Sequence, residues 1–186
     1  VHFETSLKEP DYYQQHLFTN HFKWDNDFNK ISTTKLEASL TIPRWDMGAK
    51  ITIDSATMMN KGFEVIEAKW LFGVNPEQIE AIVHPQSLIH SMVQFEDGSI
   101  KAQLGLPDMK LPIQYAFGYP IRLKNEYPRL DFTTCKEMTF EKPDMEVFRN
   151  LAFAYDAMHK GGNAPCILNA ANEIVVEAFL KEKIGF

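Results

Sequence analysis

Cysteine is nearly absent from this chain: the two residues, Cys135 and Cys166, lie 31 positions apart and form neither a paired framework nor a metal-ligand spacing. They read as reduced thiols, which excludes a disulfide-stapled secreted scaffold and predicts a reducing, cytoplasmic setting. Long apolar runs are missing as well, and none approaches the roughly 20 residues that span a bilayer. Positive charge is in deficit, with 19 Lys and Arg against 25 Asp and Glu for a formal net charge of -6. No basic field is available to gather nucleic acid or anionic lipid, and no run of like charges forms a tail. The first residues, Val1-His2-Phe3-Glu4, lack a methionine, a basic segment and an apolar core, as expected of a sequence that begins inside a longer chain. What is present is core material: 45% hydrophobic and 12% aromatic residues predict a packed globular protein whose partners are small molecules or other chains.

Three zones follow along the chain. Residues 1–44 are polar and aromatic without a sustained period of either kind. From Lys50 to Leu123 the signals sharpen. The β-branched run Lys50-Ile51-Thr52-Ile53 predicts a strand, a helix is expected from near Ala56 to Phe72, and Gly73 stands where a left-handed C-terminal residue is needed. Glu80 to Pro85 reads as a second strand, and Ser87 to Leu106 as a hairpin turning through Glu96-Asp97-Gly98-Ser99. The order predicts an α/β (α+β) domain with a mixed sheet and flanking helices. An extended linker is expected over 124–144, then helical stretches over Met145–Lys160 and Ile167–Lys183 split by Gly-Gly-Asn-Ala-Pro. Neither helix buries its apolar stripe alone, so 145–186 reads as the start of a helical domain following a domain at 1–123.

The candidate chemistry lies in "DSATMMNKGFE", Asp54 to Glu64. After a strand, Ser55 falls at a helix start, where unpaired N–H groups and the positive end of the helix dipole favour an anion. A plain cap at Asp54 or Ser55 accounts for that pair equally well. Asn60 and Glu64 are four apart and share a face, with Lys61 beside them. Either these are solvated surface residues, or hydroxyl, amide and ammonium make a phosphate pocket whose carboxylate holds a divalent cation or moves a proton. His84 and His90 read as hydrogen-bonded core or interface residues. His16, His21 and His159 show no partner pattern. Asn169 to Ile174 reads as a packed helix with a buried amide.

Three segments carry a resemblance: "WDMGAKITIDSATMMNKGFEVIEAKWLF" from Trp45, "HPQSLIHSMVQFEDGSIKAQLGLPDMKLPI" from His84 and "LNAANEIVVEAFL" from Leu168. The chain resembles the 1-deoxy-D-xylulose 5-phosphate reductoisomerase family, colinearly over about three quarters of its length. The resemblance implies a catalytic domain, a linker and part of a helical domain, in a homodimeric enzyme that uses NADPH with Mn²⁺, Mg²⁺ or Co²⁺. It implies that Ser55, Asn60 and Lys61 hold a phosphosugar substrate, that Glu64 and Glu4 bind the metal, and that Glu64 and Lys61 serve catalysis. Trp45 and Met47 are implied to sit in a flap over the substrate, the bland alternative being a hydrophobic plug. Met109 of Pro107-Asp108-Met109 is implied to approach the site.

Departures accompany the match. His2 stands where the family's metal-binding D-x-E motif has aspartate, and imidazole suits Mn²⁺ or Co²⁺ better than Mg²⁺. A Ser-Gly-Gly-Pro-Phe loop has no counterpart before Asn20, Ile42 replaces a flap histidine, and no G-x-x-G-x-I-G start supplies a cofactor-binding residue. Two functions are therefore expected to compete: the substrate- and metal-binding part of the reductoisomerase, inactive without its cofactor domain, or a non-catalytic phosphosugar-binding or dimerising module.

Overall fold

The computed structural model describes residues 17–19 and 48–186. Of the expected site residues, Glu4, Trp45 and Met47, together with His2 and Ile42, lie outside the described residues.

The strand expected at Lys50-Ile51-Thr52-Ile53 is a helix, α1 (Ala49–Ala56). β-branched residues lower helix propensity by only tenths of a kcal/mol each, about what a single good contact returns. Here two contacts do so. Lys50 Nζ reaches Asp54 Oδ2 at 2.6 Å, an i,i+4 pair, and Ile53 is buried against Val176 and Phe179 of a distant helix.

After Thr57 the chain turns at Met58, whose φ of 58° is left-handed and unusual for a bulky side chain. Its side chain is wholly buried in the core, which offsets that local strain. Helix α2 (Met59–Phe72) then runs to Gly73, which takes the expected left-handed conformation at φ 64° and donates its N–H to Lys69.

The described strands form a mixed sheet in the order β2-β1-β3-β4, with β1 (Leu17–Thr19), β2 (Ile79–Ala81), β3 (Ile89–Gln94) and β4 (Ile100–Leu104). β1 pairs parallel with β2 and antiparallel with β3. The expected hairpin is β3 and β4, closed where Gly98, at φ 82°, donates to the Phe95 carbonyl and Asp97 accepts the Ser99 N–H at 2.8 Å. Alternating burial of Ile89, Ser91 and Val93 turns one face of β3 inward.

Helix α3 (Lys110–Gly118) follows; the segment after it is extended and is pinned back by Val83 pairing with Glu141. His84, fully buried, stacks on Phe140 and donates from Nδ1 to the Thr139 carbonyl at 2.9 Å. The expected helical stretches are α4 (Arg149–Lys160) and α5 (Ala164–Leu180).

Leu151, Ala154 and Met158 of α4 join Met58, Val65, Ile66, Ala68, Ile79, Ala81 and Val93 in one core. Gly62 makes this close approach possible, because a Cβ there would lie 2.6 Å from that of Ala154. Tyr155, its hydroxyl pushed up to about 12 by burial, donates to the Ile79 carbonyl at 3.1 Å and ties α4 to the sheet. Among the described residues no helix is long and apolar enough to cross a membrane.

Candidate functional site

Asn60, Lys61 and Glu64 meet at the first turn of α2. Their spacing of three and four residues stacks them on one face of a helix that Gly62 seats against α4. Lys61 Nζ lies 2.5 Å from Glu64 Oε2, and Asn60 Nδ2 donates to Glu64 Oε1 at 2.8 Å. The Lys61 side chain is only 8% exposed, that of Glu64 39%. A buried ammonium without a counter-charge costs several kcal/mol, so Glu64 answers a need of Lys61 that a solvated face would not create. The carboxylate uses one lone pair per oxygen on these contacts. Others remain for a further donor or a cation.

Ser55 does not stand at a helix start. It is buried in the last turn of α1, where its carbonyl accepts the Met58 N–H at 3.2 Å. The helix start that favours an anion is that of α2, which carries Asn60 and Lys61. The serine thus reaches the same turn from the preceding helix. Met109 lies 56% exposed at the head of α3, and among the described residues no polar contact joins it to Ser55, Asn60, Lys61 or Glu64.

A cleft of about 540 Å³ opens beside this turn, lined by Lys50, Asp54, Asn60, Phe63 and, from α5, Asn169. Asp54 at its floor is 4% exposed and accepts from Lys50 and from Asn172 Nδ2, the latter at 2.8 Å. His90, from β3, approaches the Gly105 carbonyl at 3.2 Å through Nε2. Burial lowers its pKa below the usual histidine value, and the charges of His84 and Lys61 act in the same direction.

Residues 20–72 match the family described as "1-deoxy-D-xylulose 5-phosphate reductoisomerase C-terminal domain", and residues 104–186 match "DXP reductoisomerase C-terminal domain". The 1-deoxy-D-xylulose 5-phosphate reductoisomerase of Bacteroides thetaiotaomicron is 70% identical over 155 residues, which are 83% of this chain and 40% of that protein. The chain belongs to the 1-deoxy-D-xylulose 5-phosphate reductoisomerase family. The reductoisomerase of Phocaeicola vulgatus is 69% identical over 157 residues, 84% of this chain and 41% of its own. Among solved structures, the Zymomonas mobilis reductoisomerase in complex with NADPH superposes with a TM-score of 0.85 at 44% identity, covering 94% of this chain and 45% of that one. A reductoisomerase in complex with NADPH, fosmidomycin and magnesium gives 0.86 at 43% identity, covering 91% and 42%. The chain spans about 40% of the length of the curated relatives it matches.

Of the two carboxylates expected to bind a divalent cation, Glu64 is the one among the described residues. No group of three or more metal-binding side chains gathers among them. One carboxylate with free lone pairs suits Mg²⁺, which takes one or two protein carboxylates and completes its shell with water and substrate oxygens. The other carboxylate expected there, Glu4, lies outside the described residues. Lys50, Asp54 and Asn172 went unnoticed in the sequence as a site-forming set. The i,i+4 spacing of Lys50 and Asp54 was a usable signal, whereas Asn172 is 118 positions from its partner.

Proposed function

We propose that this chain carries the substrate- and metal-binding part of an NADPH- and divalent-metal-dependent oxidoreductase that converts 1-deoxy-D-xylulose 5-phosphate to 2-C-methyl-D-erythritol 4-phosphate in non-mevalonate isoprenoid biosynthesis. The observation that carries this reading is the buried Lys61 held by Glu64 and flanked by Asn60 at the N-terminal turn of α2.

An ammonium and an amide there hold the substrate phosphate, and the dipole of a 14-residue helix adds to them. Ser55 contributes from the end of α1. Anchoring the phosphate lets binding energy from the non-reacting end orient the reacting carbons. As phosphate draws Lys61, Glu64 is freed to take a cation together with Glu4. When bound, the cation supplies Lewis-acid polarisation of the substrate ketone and NADPH supplies hydride. Trp45 and Met47 belong to a flap that excludes water from the substrate, and Met109 approaches the site. The solved relatives in complex with NADPH and with magnesium support both cofactors.

The same reading includes a homodimer in the cytoplasm. β4, the edge of the described sheet, exposes Ile100 to Gln103 and offers unpaired backbone groups to a second copy.

The deciding experiment is calorimetric titration with 1-deoxy-D-xylulose 5-phosphate and Mg²⁺, comparing the wild-type chain with Lys61→Ala. Loss of a charged hydrogen bond to phosphate is expected to weaken binding about tenfold or more. Binding that Lys61→Ala leaves unchanged, or no binding by the wild type, overturns the reading.

A further inference from the structure

Asn169, Asn172, Glu173 and Val176 recur on α5 at the i, i+3, i+4, i+7 spacing that makes one helix face. That face meets α1 and the cleft. Asn172, 6% exposed, donates to Asp54 Oδ1 in a buried bond of 2.8 Å. Glu173 lies 3.0 Å from Lys50 Nζ, which also holds Asp54 Oδ2. Val176 and Phe179 pack on Ile53, and Asn169 lines the cleft with Asn60.

Asp54 is as buried as the core, so its carboxylate is fixed by the groups that satisfy it, Lys50 and Asn172. It directly precedes Ser55, and the end of α1 is bonded into the turn that begins α2. The Asp54 carbonyl receives Thr57 Oγ1 at 3.4 Å, the Ser55 carbonyl receives the Met58 N–H, and the Met58 carbonyl receives the Gly62 N–H at 2.9 Å. A shift of Asp54 therefore moves the turn that presents Asn60 and Lys61.

We propose that Asn172 is a positioning residue for the phosphate and metal site: through Asp54 it fixes the last turn of α1, and with it the placement of Ser55, Asn60 and Lys61. Asn169 on the same face adds an amide to the cleft. The inference rests on the reading of the site given above, and it makes α5 part of the substrate site.

The test compares Asn172→Asp, which sets a second carboxylate against Asp54, with Asp54→Asn/Asn172→Asp, in which amide and carboxylate trade places. Val176→Ala loosens the same helix without touching the bond. Two readouts are taken in the full protein: affinity for 1-deoxy-D-xylulose 5-phosphate with Mg²⁺, and amide hydrogen exchange over residues 57–61. Asn172→Asp is expected to weaken binding about tenfold or more and to speed that exchange by a similar factor. The exchanged pair is expected to recover both to within about threefold, and Val176→Ala to leave both within about twofold while lowering Tm.

The proposal falls if Val176→Ala moves both readouts as far as Asn172→Asp, if the exchanged pair fails to recover them, or if Asn172→Asp moves neither. Asn172→Ala removes the donor without adding charge and carries the same readouts if the Asp variant does not fold. Should the wild type bind no phosphosugar, the reading of the site fails by itself, and exchange over 57–61 still decides whether Asn172 holds the turn.

Discussion

Glu64 has two duties that a single substitution separates. As the counter-charge of a buried lysine it contributes to folding, and as a carboxylate with spare lone pairs it is the proposed metal ligand. Glu64→Gln keeps the shape and removes the charge. It is expected to abolish metal-dependent turnover and to lower stability by about 1–2 kcal/mol, less than for a fully buried pair because the carboxylate is partly exposed. An exposed isostere would cost almost nothing, so a Tm identical to wild type would show that Lys61 does not depend on it. His90 sets a pH limit at the same scale. Its folded-state pKa is depressed, first by desolvation, so the folded protein favours the neutral ring. The unfolded chain takes up a proton near pH 6.5, before the folded one does, so this contribution is present above 6.5 and is lost as pH falls from there through the folded value. Tm is expected to drop between pH 7.5 and pH 5, and His90→Gln to show a smaller drop. Equal drops in both proteins would place the acid sensitivity elsewhere.

At the scale of elements, the junction of α2 and α4 turns on one missing methyl. With a Cβ on Gly62 placed 2.6 Å from that of Ala154, Gly62→Ala must push α2 away from α4, at an expected cost of about 1–3 kcal/mol. Gly62→Ala/Ala154→Gly is expected to recover most of it, measured by urea unfolding; a double variant as unstable as the single would mean that backbone flexibility, not contact, governs the site. Elements whose signals are local were legible. Gly73 closing α2, the Asp97-Gly98 turn between β3 and β4, and the breaker Gly161-Gly162 between α4 and α5 all specify their structures within a few residues. α1 was not legible, because Ile51, Thr52 and Ile53 alternate like a strand while the contacts that make them helical come from Val176 and Phe179 far along the chain. The same distance hid the bond from Asn172 to Asp54, although a buried amide was expected within residues 169–174, where Asn172 is buried and Asn169 exposed. Asn60, Lys61 and Glu64 were legible as a set because one helix turn suffices to bring them together. Ser55 was expected at a helix N-terminus and is found at the end of α1, an error that follows directly from reading α1 as a strand.

For the molecule as a whole, α4 and α5 determine whether the site exists at all. Leu151, Ala154 and Met158 are buried against α2 and the sheet, and Val176 and Phe179 against α1. Burying side chains of this kind contributes about 1.5–3 kcal/mol each for the larger ones. The two helices therefore supply an amount comparable with the about 5–15 kcal/mol that holds a whole domain folded. Removing them also exposes wholly buried Met58, whose side-chain packing offsets the strain of its left-handed turn. A chain ending at Lys142, in the extended segment before α4, is accordingly expected to lose cooperative unfolding and near-ultraviolet dichroism, whereas the 186-residue chain shows one transition. A truncated chain that still unfolds cooperatively would show that α2 and the sheet fold by themselves, and that α4 and α5 dock onto a site already formed.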